Sequence, residues 1–123
     1  MKTSLPTDSA VRKTYPMFNG LLGYFGAALA GVSHHSWKSN AKHNGDAPLH
    51  WSINQSTDHA DCIMRHLLDL GDMLAAYNRG QYYDCSPDDI LAEADAIAWR
   101  ALALSQTLRM KYAEAPLPFN AKE

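Results

Sequence analysis

An all-α bundle is the fold class that this sequence predicts, on three observations. Apolar residues recur at three- and four-residue spacing through three separate stretches. Helix start and stop signals bracket two of them, and no stretch alternates in the manner of a half-buried strand. At 123 residues and 13.6 kDa the chain is about one domain, with enough length for a single core and little to spare. Residues 1–123 are read as one folding unit, with 1–14 and 113–123 as arms.

The first arm is polar, contains Pro6 and shows no periodicity. From Tyr15 to about Lys42, the residues Phe18, Leu21, Leu22, Phe25, Leu29 and Val32 follow one helix face. Gly20, Gly23, Gly26 and Gly31 each cost about 1 kcal/mol relative to Ala in a helix interior, so their use is taken to be close approach of another helix or subunit. The helix runs into His34, His35, Lys38, Asn40, Lys42, His43 and Asn44, a patch rich in hydrogen-bond donors that is either a ligand surface or a solvated helix end. Gly45, Asp46 and Pro48 then break the pattern, and His50 and Trp51 sit in the loop that follows.

Ser56–Asp72 is the central helix, with Ser56 or Thr57 as N-cap and Gly71 as C-cap. Ala60, Ile63, Met64, Leu67 and Leu70 form its buried face. Asp58 and Asp61 are one turn apart, so their oxygens can converge on one cation, and Arg65 falls on the same side. Their alternative is complementation of the helix dipole, which asks only for acids in a first turn. His59 and His66 line one border of the stripe, as boundary residues or as ligands. Met73–Tyr77 can extend the helix before Asn78, Arg79 and Gly80 signal a turn. Ser86-Pro87-Asp88-Asp89 starts the last helix, which runs to about Lys111 before Pro116 and Pro118. Glu93 lies at the edge of its apolar stripe, where a carboxylate needs a metal, a salt bridge such as one to Arg100 seven residues later, or solvent.

Composition narrows the function. A formal charge of −2 gives no basic footprint for nucleic acid, and the longest oily run, Leu21–Val32, is too short and glycine-broken to span a membrane. Cys62 and Cys85 lack the spacing of a zinc ribbon or a disulfide scaffold, which predicts reduced thiols and a cytoplasmic location. Bundles build metal sites from facing helices, and Asp58, Asp61 and Glu93 would supply hard oxygens suited to Mg²⁺ or Mn²⁺. His59, His66 and Asp69 are candidates for orienting water or ligands. Asn40, Lys42, His43, Asn44, His50, Trp51 and Arg65 are the candidates for holding a nucleotide.

The stretch from about Tyr24 to Leu104 carries KHN at Lys42–Asn44, PLHW at Pro48–Trp51, STDHAD at Ser56–Asp61, RHLLD at Arg65–Asp69 and AWRALAL at Ala98–Leu104. With these motifs it resembles the phage dATP/dGTP diphosphohydrolase family, MazG-like enzymes of phages that replace adenine with 2-aminoadenine. The resemblance implies an all-α, metal-dependent nucleoside triphosphate pyrophosphohydrolase that converts dGTP to dGMP and pyrophosphate in the host cell cytoplasm. It places Asp58 and Asp61 at the acids of an ExxE motif and Glu93 at the first acid of ExxD. The fourth position is Ala96, which leaves Asp95, Asp89 or no residue as the fourth ligand. The resemblance also implies a homo-oligomer, a tetramer built from dimers. Rival readings are a dATP-directed enzyme, a histidine-based zinc site and a non-enzymatic helical interaction module.

Overall fold

The computed structural model describes residues 1–123. A single helical turn, α1 (Ser9–Arg12), lies in the N-terminal arm, and the long apolar stretch then forms two pieces. A π-helical turn, Phe18–Leu22, feeds α2 (Gly23–Asn44), which kinks at Phe25 with φ −121° and ψ 31°. The single long helix expected from periodicity is therefore broken where Gly20, Gly23 and Gly26 weaken it.

The central helix, α3 (His59–Asn78), has Asp58 rather than Ser56 or Thr57 at its N-cap, and it continues through Gly71. Gly71 keeps a right-handed backbone, and the left-handed glycine is Gly80 at φ 79°, just past the helix end. A glycine signals a stop only when the chain also turns there, and the apolar side chains of Met73 and Leu74 carry α3 onward. The last helix, α4 (Pro87–Tyr112), begins where the sequence predicts. Ser86 Oγ accepts from Asp89 N at 3.2 Å, while Asp89 accepts from Ser86 N at 2.9 Å.

Helices α3 and α4 form an antiparallel hairpin, and α2 packs on α4. Two short strands, β1 (Trp51–Ser52) and β2 (Ala121–Lys122), pair in parallel and tie the C-terminal arm to the loop before α3. Two residues are too few to leave an alternating pattern in sequence, so this pairing had no local signal.

The core is thin: seven of 123 residues are buried, among them Val32 of α2, Cys62 of α3, and Ala96 and Ala103 of α4. Both cysteines are free and buried. The chain exposes 9027 Å², whereas folded monomers of this mass expose about 6,600 Å². Phe18, Leu68 and Leu91 are each more than 60% exposed, so large apolar side chains contribute to that surface. No helix is long and apolar enough to cross a membrane.

Candidate functional site

The α3–α4 hairpin brings together residues that sequence cannot align. His66 of α3 meets Glu93 of α4, and His59, seven residues earlier, meets Arg100, seven residues later. His66 and Asp69 share one face of α3, and Glu93 faces them from α4. The three offer one ligand atom each, all within 4.8 Å of one another. His66 Nδ1 and Glu93 Oε1 are hydrogen-bonded, both side chains are partly buried, and Asp69 is exposed at the rim. One imidazole nitrogen and two carboxylates can hold a metal ion.

Of the sequence-predicted ligands, Glu93 lies in this cluster and Asp58 and Asp61 do not. Asp58 instead pairs with Arg65 at 2.7 Å and accepts from Ser56 Oγ at 3.3 Å. Its carboxyl is held below the usual range, chiefly by the Arg65 hydrogen bond. Asp61 is exposed. The reason is helical phase: His66 and Asp69 each follow one of those acids by eight residues, which rotates the two pairs about 80° apart. His66 and Asp69, read from sequence as orienting residues, are the cluster's other two members.

Helices α2 and α4, the loop before α3 and the C-terminal tail line an open cavity of about 790 Å³. Asn40, His43, Asn44, His50 and Trp51 line it, and Lys42 and Arg65 do not. The two asparagines brace its wall. Asn44 Nδ2 donates to Asn40 Oδ1 at 2.8 Å, and Asn40 Nδ2 donates to the Ala47 carbonyl at 3.0 Å. His50 Nδ1 lies 2.9 Å from the Pro48 carbonyl, which can only accept, so Nδ1 carries the proton and Nε2 accepts from Ser52 Oγ at 3.1 Å. Trp51 meets Trp99 edge to face, with ring centroids 5.8 Å apart.

Three further residues line the cavity: His35, from the donor patch at the end of α2, and Trp99 and Arg100, neither of which the sequence assigns to a site; Arg100 forms no salt bridge with Glu93, the pairing that the sequence offers for it. His35 lines the cavity from α2 and lies 3.4 Å from Ser39 Oγ through Nε2. Burial is the main cause that pushes its pKa down, followed by Lys38. Arg100 Nη1 donates to Ser56 Oγ at 3.0 Å and to His59 Nδ1 at 3.1 Å. The signal for Arg100 was available, since it sits two helical turns after Glu93 on the same face of α4. His59, only 3% exposed, has no partner at Nε2 and lies away from the metal-ligand cluster.

No protein-family model, curated protein or solved structure matches this chain.

Proposed function

We propose that the protein is a metal-dependent nucleoside triphosphate pyrophosphohydrolase that converts dGTP to dGMP and pyrophosphate. The observation that carries this reading is the His66–Asp69–Glu93 cluster, whose Glu93 stands on the same helix, α4, that lines a cavity of donors and aromatic rings with Trp99 and Arg100. In this reading His66, Asp69 and Glu93 hold a divalent ion, and the imidazole in the donor set favours Mn²⁺ over Mg²⁺. The ion would neutralise phosphate charge and lower the pKa of a bound water. The cavity holds the nucleotide so that water bonds to the α-phosphorus as the bridging bond to the β-phosphate breaks, releasing pyrophosphate. Trp51 and Trp99 supply aromatic surface for the base.

The working enzyme in this proposal is a homo-oligomer, a tetramer built from two dimers. The excess surface of about 2,400 Å² per chain, together with exposed side chains such as Leu68 and Leu91, supports it, because obligate interfaces bury about 2,000 to 5,000 Å² in total. Met64, Leu67 and Leu68 are exposed around His66 and Asp69, so a second copy seated there would also shield the cluster from water.

Product identification tests the reaction. Chelated protein should be inactive, and Mn²⁺ should restore formation of dGMP and pyrophosphate in equal amounts from dGTP, with dATP run in parallel. Phosphate or tripolyphosphate as the main product, or no turnover with any divalent ion, would overturn the proposal.

A further inference from the structure

The cavity has a one-sided electrostatic make-up. Its lining contains one arginine and three histidines, and no aspartate or glutamate. Arg100 is half-buried and makes no salt bridge. Its partners on the protein are Ser56 Oγ and His59 Nδ1, both neutral acceptors. Because a guanidinium has no acceptor capacity, His59 Nδ1 must be the unprotonated nitrogen of its ring, and both contacts fall on the same Nη1. The guanidinium's other N–H groups make no hydrogen bond to the protein.

A partly desolvated cation normally acquires a counter-charge, and the protein supplies none here. The guanidinium is nevertheless fixed. Two neutral groups from the start of α3 hold one nitrogen, and its carbon lies 5.8 Å from the Trp99 ring centroid, within cation–π range. Fixing a fork at one tine leaves the others set for a planar or tetrahedral oxyanion, the ligand geometry a guanidinium matches best. A neutral base edge could accept the same hydrogen bonds without compensating the charge.

We infer that Arg100 is the oxyanion-binding residue of the cavity, held in place by Ser56 and His59 as positioning residues, and that the group it takes is a phosphate of the bound ligand. The inference deepens the nucleotide reading, and rests on it for the identity of the larger molecule, but the phosphate contact itself needs no metal. Glu93 and Arg100 lie about 10 Å apart along α4, so the site addresses both ends of a phosphorylated ligand.

The test is a titration of the full chain with inorganic pyrophosphate in chelator, at constant ionic strength and about pH 8, where an ordinary imidazole is neutral. Fluorescence of Trp51 and Trp99 reports occupancy. The wild type should bind saturably, and Arg100→Gln should weaken binding about tenfold or more, as expected for losing a charged hydrogen bond. Arg100→Lys keeps the charge but lacks the planar fork that meets an oxyanion with two parallel N–H groups, so it should also weaken binding severalfold; it carries the test if the glutamine variant fails to fold. His59→Leu should weaken binding, and His59→Asn, which keeps an acceptor near the Nδ1 position, should restore it. Deoxyguanosine, which has no phosphate, should bind equally to wild type and Arg100→Gln.

Equal pyrophosphate affinity in wild type and both Arg100 variants, or loss confined to deoxyguanosine, would overturn the inference. So would the absence of saturable pyrophosphate binding to the wild type. Tight pyrophosphate binding without dGTP turnover would instead remove the hydrolase reading and leave the oxyanion site standing.

Discussion

Both carboxylate oxygens of Asp95 on α4 lie 2.7 Å from the point where a Cβ on Gly31 of α2 would stand. Gly31 is thus the place where α2 and α4 approach through a missing side chain, one turn before His35 enters the cavity wall. Of the other helical glycines, Gly26 and Gly71 face open space.

Gly31→Ala therefore sets two effects against each other. Better helix propensity contributes about 1 kcal/mol, and overpacking against a short, partly buried carboxylate costs about 1–3 kcal/mol. We expect a net loss of up to about 2 kcal/mol in urea unfolding. Adding Asp95→Ala should recover it, because the crowding then disappears while the propensity gain stays. A Gly31→Ala variant more stable than wild type would show that α2 and α4 do not meet here as described.

As the proposed metal site, the His66–Asp69–Glu93 cluster makes a prediction that separates it from the acids of the first turn of α3. Glu93→Gln and Asp69→Asn should each lower dGTP turnover by about a hundredfold or more, since each removes a ligand of the ion that offsets transition-state charge. Asp61→Asn, at an exposed position, should leave turnover within about twofold, the size of a typical surface effect of ±0.5 kcal/mol. Steady-state rates at saturating Mn²⁺ check both, and the opposite ranking would return the metal to the first turn of α3.

Acid should weaken the fold through its buried imidazoles. Burial, and then the charge of Arg100, hold the His59 pKa below its ordinary 6.5, and His35 is lowered as well. Between each folded-state pKa and 6.5 the unfolded chain binds the extra proton, so stability drops as pH falls through that window. Above 6.5 both states are neutral and the contribution is flat. The slope is at most about 1.4 kcal/mol per pH unit for each proton. Urea midpoints between about pH 5 and 8 should show it, and His59→Asn should make it shallower; an unchanged slope would clear His59 of the effect.

Assembly is tested at the exposed apolar face of α3. Light scattering across a dilution series should give a mass well above 13.6 kDa. Leu68→Arg should lower it, because Leu68 is 69% exposed and a charge there cannot be desolvated in an interface without a partner. A wild-type mass near 13.6 kDa at micromolar concentration, with activity retained, would end the oligomer reading.

The features legible in the sequence are those that one helix settles alone. Periodicity located the three long helical stretches, and Ser86-Pro87-Asp88-Asp89 fixed the start of α4 because a capping box is written in four consecutive residues. The donor patch was legible in part: Asn40, His43, Asn44, His50 and Trp51 converge on one cavity because the loop after α2 folds back over the helix end. Which acids would meet was not legible. Glu93 faces His66 and Asp69 rather than Asp58 and Asp61 because of the phase of α3 against α4, a tertiary quantity that no spacing within α3 reveals. Arg100, offered by spacing as a partner for Glu93, bonds instead to Ser56 and His59, contacts that cross from α4 to the start of α3 and leave no trace in local spacing.

The two-residue parallel ladder has a consequence for the order in which the molecule is built. Trp51 N donates to Asn120 O at 3.0 Å and Ile53 N to Lys122 O at 2.9 Å, so these bonds close a loop that contains all of α3 and α4. Closing so long a loop is entropically dear and slow, whereas the α3–α4 hairpin needs only the short connection between its helices. Pro118 and Asn120, carried by the same tail, complete the cavity rim. The expected sequence of events is a hairpin that carries the metal ligands first and a binding cavity last. Pulsed hydrogen exchange during refolding would register it as late protection of the Trp51 and Ile53 amides, and a tail that docks before the hairpin forms would contradict it. A fusion or truncation at the C-terminus is then an alteration of the ligand site itself, although it lies far from every proposed metal ligand in the sequence.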